Sequence, residues 1–187
     1  MSRLEILYTC VANMVKVVYK TGEYEHLKNM EYYLDEDDRN RTIYYRKNKE
    51  ITKRLQEIID GVYTFIKELG KAYTELPEYG LLQRVLKEQT EITEEGKIVP
   101  VEKEKISPDS LQNPSDPYAT YRKKAVKDYK GYVANVVETI DKKGSTITSY
   151  DYDVNTHSDS SFCKETIEKL GKQKWNNNNS RWSLQQY

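Results

Sequence analysis

The stretch SYDYDVNTHSDS, residues 149–160, sets Asp151, Asp153, Asn155, His157 and Asp159 at alternate positions. Side chains of these types ligate metals and move protons. Asp151, Asp153 and Asn155 match the first three ligand positions of a calcium-binding loop. Thr156 and Phe162, however, stand where that loop needs its sharp-turn glycine and its bidentate glutamate. If the stretch is a strand, Asp151 and Asp153 share one face and the neighbouring tyrosines the other, which suits solvated carboxylates at a sheet end. His157 beside Asp159 makes a candidate acid–base pair, and Ser160 and Ser161 could complete a hydrolytic triad. No nucleophile elbow or glycine-rich oxyanion loop accompanies them, and a structural histidine in a strand–helix turn explains the same residues. One reading is therefore a free-standing metal enzyme built on Asp151, Asp153, His157 and Asp159. The other is a charged sheet end.

A second cluster precedes it. ATYRKKAVKDYKGY, residues 119–132, places Arg122, Lys123, Lys124, Lys127 and Lys130 close together, interleaved with Tyr121, Tyr129 and Tyr132 and preceded by Tyr118. Cations on such a run neutralise phosphates and release counterions, so binding through them falls steeply with salt. The competing account is a solvated charged turn. With 30 basic and 30 acidic residues the chain carries no net field, so a claim on DNA rests on this cluster alone. No glycine-rich phosphate loop occurs, and Cys10 and Cys163 form no metal-binding spacing. Both sit in apolar helical patterns, the placement of reduced core thiols in a cytosolic protein.

The elements that must position these residues fall into two textures. Leu4, Leu7, Val11, Met14 and Val18 recur at 3-4-3-4 spacing, and Ser2 with Glu5 forms a capping box, so a helix begins almost at the first residue. A short second helix is expected over 24–34, ending at the acidic run DEDD. A third spans about 49–69, with a stripe of Ile51, Leu55, Ile58, Val62, Phe65, Ile66 and Leu69 and a stop at Gly70. A fourth covers 78–89, with Leu82, Val85 and Leu86 inward. Such stripes are what burial requires. Four of the five prolines then fall within 91–118, where periodicity is lost and a linker is expected.

Beyond it the period drops to two. Residues 131–140 read as a buried strand, DKKG as a tight turn, and 145–154 as its antiparallel partner. Ser158 or Asp159 caps a last helix carrying Phe162, Cys163, Ile167 and Leu170 and ending at Gly171. A two-stranded hairpin with one helix is marginal alone, so further strands are expected outside this sequence. Charged residues reach 32% and hydrophobic ones 37%, 17 residues being Tyr, with a mean hydropathy of −0.89. That is lean for one compact core. Residues 4–18 are too short and too polar for a membrane span, and the start lacks a signal-peptide pattern. A soluble, cytoplasmic chain without a membrane partner is expected.

The run SPDSLQNPSDPYATYRKKAVKDYKGYVANVVET, followed by ITSYDYDVNTHSDSSF, closely resembles DDE-type insertion-sequence transposases of Gram-positive bacteria. The resemblance covers residues 1 to about 174. Tyr118 departs from it, standing where the family often has Asp. It implies a ribonuclease-H-like core interrupted by a helical insertion. Residues 1–90 correspond to the insertion, 91–120 to a Pro-rich, charged linker, and 121–174 to a partial core, an α+β arrangement of antiparallel hairpin plus helix. It also implies chemistry. Such enzymes hold two Mg²⁺ ions ~3.5–4 Å apart with three carboxylates and cleave and join DNA strands. The first family Asp lies on an opening strand before Met1, and the second in a strand after Gly171, in a pattern like TI-ADGAYS. The third, a Glu, lies beyond Tyr187. Asp116, Asp151, Asp153 and Asp159 match none of these positions. The resemblance therefore implies a chain without catalytic or metal residues and without a Mg²⁺ of its own, whose remaining activity is weak DNA-backbone binding through Arg122 to Lys130. Its other partners are a second copy or a full-length transposase, which the seam of the first helix would engage as a helical interaction module.

The tail WNNNNSRWSLQQY, residues 175–187, holds both tryptophans and no acid. Read one nucleotide forward, TGG and AAT or AAC codons become Gly followed by Thr or Ile. SRWSLQQ can become Ala or Val, Asp, Gly, Ala, Tyr, Ser, and Ser or Asn. The other frame can thus spell GTITIADGAYS, with the family's second Asp where Arg181 is read. A frameshift near Lys174 is the expectation.

Overall fold

A computed structural model of the chain describes residues 1–44 and 47–171, and these divide into two compact units, one up to Pro117 and one from Tyr118 onward. The described residues form five α-helices and two antiparallel sheets, a mixed α and β architecture. No helix among them is long and apolar enough to cross a membrane. The tail and its proposed frameshift lie outside the described residues.

The first unit is built around α1 (Arg3–Thr21). Ser2 accepts from the Glu5 amide at 3.2 Å while Glu5 reaches back to the Ser2 amide. Gly22, at φ 80°, ends the helix in the left-handed region that glycine enters without a Cβ clash. Leu4, Leu7, Val11, Met14 and Val18 are all buried, so the seam is occupied within the unit's own core and offers no free face to a partner helix. It packs against α3 (Asn48–Leu69) and α4 (Pro77–Gln89), which contribute Ile58, Val62 and Phe65, and Leu82, Val85 and Leu86. Each such side chain contributes roughly 1.5–3 kcal/mol on burial. Ile51, expected on the α3 stripe, is instead 37% exposed, because it lies in the first turn before the helix meets the core.

The short helix expected over 24–34 is two 3-10 turns, Tyr24–Leu27 and Glu31–Leu34, because Asn29 turns to φ 69° and breaks the chain between them. The acidic run does not end a helix but starts one. Asp35 caps α2 (Glu36–Ile43) by accepting from the Asp37 amide at 2.9 Å, and Glu36, Asp37 and Asp38 sit where the helix dipole favours negative charge. A polar network follows. The Tyr8 hydroxyl donates to Asp38 at 3.0 Å, Arg54 lies 3.8 Å from Asp38, and its guanidinium sits 5.5 Å over the Tyr32 ring.

Residues 90–117 carry more order than their composition suggests. β1 (Thr90–Ile92) and β2 (Ile98–Pro100) pair as a small ribbon. Arg3 donates to the carbonyls of Gln89 (2.6 Å) and Val101 (2.7 Å), and Gln56 to that of Ile98. Further on, Arg84 donates to the carbonyls of Asp109 and Pro117, Glu88 accepts from the Leu111 amide at 2.7 Å, and Leu111 is fully buried.

In the second unit, β4 (Lys127–Asp141) and β5 (Gly144–Val154) form the expected hairpin. Asp141 accepts from the Lys143 and Gly144 amides, and Gly144 sits at φ 148°. A bulge at Val137/Glu138 leaves Thr148 without a ladder partner. The expectation that every further strand lies outside the sequence is corrected, because β3 (Thr120–Lys124) also pairs with β4, through a two-residue turn at Ala125 and Val126. Its Lys-rich composition, common in edge strands, hid it. β3 pairs with residues 127–131 and β5 with 132–141, so each β4 residue has one cross-strand partner.

Ser158 caps α5 (Asp159–Gly171), accepting from the Ser161 amide at 3.0 Å. Among its described side chains Phe162 and Thr166 are buried, and that of Leu170, expected inside, lies outside the described residues. Cys163 and Ile167, expected inside, are exposed, because the helix turns inward a mixed stripe of Phe162, Thr166 and Lys169 instead. Cys10 is buried as expected.

Candidate nucleic-acid interface

The β3–β4 register decides how the five candidate cations are displayed. Arg122 stands opposite Tyr129 and Lys124 opposite Lys127, on one face of the ribbon. Lys123 stands opposite Asp128 and Lys130 opposite Tyr121, on the other. The structure thus brings Arg122, Lys123, Lys124, Lys127 and Lys130 onto a single hairpin, the four lysines exposed and Arg122 partly so. Two carboxylates temper them. Asp159, at the start of α5, lies 3.5 Å from Arg122 and 3.9 Å from Lys124, and Asp128 accepts from the Tyr121 hydroxyl at 2.7 Å. That bond holds the Tyr121 phenol above its ordinary pKa. Three positive charges remain in excess at the hairpin. The face carrying Lys123 and Lys130 continues along the sheet to Tyr150 and Tyr152, which are 79% and 70% exposed.

The stretch 149–160 resolves differently from its acid–base and metal readings. Asp151 and Asp153 do share a face, the one covered by α5, but each meets a base there. Asp151 forms an ion pair with Lys169, which holds its carboxyl below the usual range and the ammonium above its own. Asp153 lies 3.3 Å from His157 Nδ1. Glu165 approaches His157 Nε2 at 3.1 Å without a directed hydrogen bond, and Phe162 meets the imidazole edge-on at 4.4 Å. Asp159, expected beside His157, faces β3 instead, since α5 begins there and turns the carboxylate toward Arg122. The Ser160 and Ser161 hydroxyls bond to Ser158 within the helix cap and stand in no triad.

Glu165 and Lys169 escaped sequence reasoning. The available signal was their i, i+4 spacing on one side of α5. Among the described residues no group of three or more His, Cys, Asp and Glu side chains is arranged to hold a metal ion. In the first unit a cleft of about 220 Å³ opens beside α1, lined by Thr9, Asn13, Lys16, Tyr33, Asp35 and Arg39, among others. It is smaller than the few hundred Å³ of ordinary small-molecule sites.

Comparison with protein-family models, with curated proteins and with solved structures finds no match to this chain.

Proposed function

We propose that this chain is a segment of a DDE-type insertion-sequence transposase that holds DNA by its phosphate backbone and does not itself cut it. In this reading residues 1–90 are the helical insertion, and β4, β5 and α5 are the second and third strands and first helix of a ribonuclease-H-like core. The supporting observation is that the run most like the family, from SPDSLQNPSDP onward, folds as an antiparallel hairpin followed by a helix, with five cations gathered on the adjoining hairpin. The cations supply a sequence-independent grip on duplex DNA. Strand cleavage is not assigned to this chain because Asp151, Asp153 and Asp159 are each engaged by bases: Lys169, His157, and Arg122 with Lys124. In the intact family Mg²⁺ supplies Lewis-acid activation of the phosphodiester.

Incubation of the purified chain with supercoiled plasmid and Mg²⁺ tests this. The plasmid is expected to stay closed, whereas metal-dependent nicking by the chain would refute the assignment. The gene's nucleotide sequence tests the tail: read one base forward from Lys174, it should encode an apolar strand ending in Asp-Gly-Ala-Tyr.

A further inference from the structure

One face of the β4–β5 hairpin, that of Asn135, Val137, Asp151 and Asp153, is the face α5 covers. The register places Tyr152 opposite Ala134 and Tyr150 opposite Val136 on the other face. Among the described residues no element covers that face: Tyr150 is 79% and Tyr152 70% exposed, and Ala134 is exposed as well. Both cross-strand partners are small, so β4 offers neither ring a side chain large enough to stack on it. A strand added at the edge of β4 widens the sheet and leaves this face open. Large exposed rings gathered in this way mark an interaction site.

We propose that Tyr150 and Tyr152 form a stacking platform for the bases of single-stranded DNA, whose phosphates run on to the cations of the β3–β4 hairpin. Residues two apart on a strand lie about 6.8 Å from each other, twice the roughly 3.4 Å between neighbouring bases of one duplex strand. Consecutive bases therefore reach the two rings only when they are unpaired and unstacked. Stacking of this kind needs only a π-face, so it tolerates any sequence. The charge on the face suits a polyanion. Its carboxylates are Asp128, which accepts from the Tyr121 hydroxyl, and Glu138, opposite Ile147, and between them the register places none. Lys123 is exposed on the same face at the level of Asp128, about 20 Å along β4 from the Tyr152 level at Ala134, a span of several nucleotides. The inference rests on the reading of this chain as a DNA-binding protein and adds the form of DNA it prefers.

Fluorescence anisotropy on the full chain tests this, with a labelled oligothymidine of about 15 nucleotides, a length within known single-strand sites, set against a duplex of equal length. The wild type is expected to bind the single strand more tightly. Tyr150→Ala and Tyr152→Ala should each weaken that binding by about fivefold or more and leave duplex binding unchanged. Tyr150→Phe and Tyr152→Phe, which keep the ring, should bind as the wild type does. Because a strand variant can fail to fold, a photochemical measurement on the unaltered chain provides a second route. A strand carrying iododeoxyuridine, irradiated on the wild type, should cross-link to Tyr150 or Tyr152. Single-strand affinity indifferent to both alanines in folded variants, an equal loss for the duplex, or cross-links confined to other residues would overturn the platform. Those results leave the phosphate grip standing wherever duplex binding still depends on Lys127, whereas failure to bind either form of DNA overturns both.

Discussion

Asn135 on β4 donates to the Thr166 hydroxyl on α5 across 3.2 Å, and both side chains are buried. A helix ordinarily joins a sheet through apolar pairs; here an amide and a hydroxyl take that place. Removing one partner strands the other. Asn135→Ala is expected to destabilise the second unit by about 1–3 kcal/mol, measured by urea unfolding. Thr166→Val in the same background should cost little more, since the hydroxyl has already lost its partner.

The ion pair between Asp151 and Lys169 predicts an acid-sensitive attachment of α5. Lys169 depresses the Asp151 carboxyl, so its contribution is complete above the unfolded carboxylate value of about 3.9. That contribution is lost as pH falls from there through the depressed folded value. Lys169 is exposed and Asp151 partly so, so salt should weaken the effect. Helix content followed by circular dichroism should show an acid transition that Asp151→Asn removes and Lys169→Gln shifts toward ordinary carboxylate pH.

The two cysteines should react very differently. Burial pushes the Cys10 thiol up to about 12, with Glu88 adding to the shift and Arg84 opposing it, whereas Cys163 lies exposed on α5. The thiolate is the nucleophile. At pH 8 a thiol reagent should label Cys163 promptly and Cys10 only after unfolding. Mass spectrometry finding Cys10 modified in the native chain would contradict the packing of α1.

What the sequence revealed, and what it hid, follows from how each element is stabilised. α1, α3 and α4 announce themselves because a buried helix face must repeat every three or four residues, and Leu7, Phe65 and Leu82 are indeed fully or nearly fully buried. β3 was obscured because TYRKK gains its pairing from the backbone and carries charge on its side chains. α5 misled in the opposite sense. Cys163 and Ile167 suggested an apolar face, but Asp151, Asp153 and Asn135 make the opposing sheet surface polar, so the helix turns Glu165, Thr166 and Lys169 toward it. The five cations were visible as a cluster. Their arrangement, with Arg122 and Lys124 shared with Asp159, depends on a strand register and a helix start that composition does not encode.

Binding to a labelled duplex across a salt series, followed by fluorescence anisotropy, tests the central claim most directly. Three to five phosphate contacts through the β3–β4 hairpin predict that log K falls linearly with log salt, with a slope of about −3 to −4.5. Lys127→Ala should lower its magnitude by about 1 at any DNA sequence. No binding at low salt, or a slope that the Lys127 substitution leaves unchanged, would contradict a phosphate grip at this hairpin.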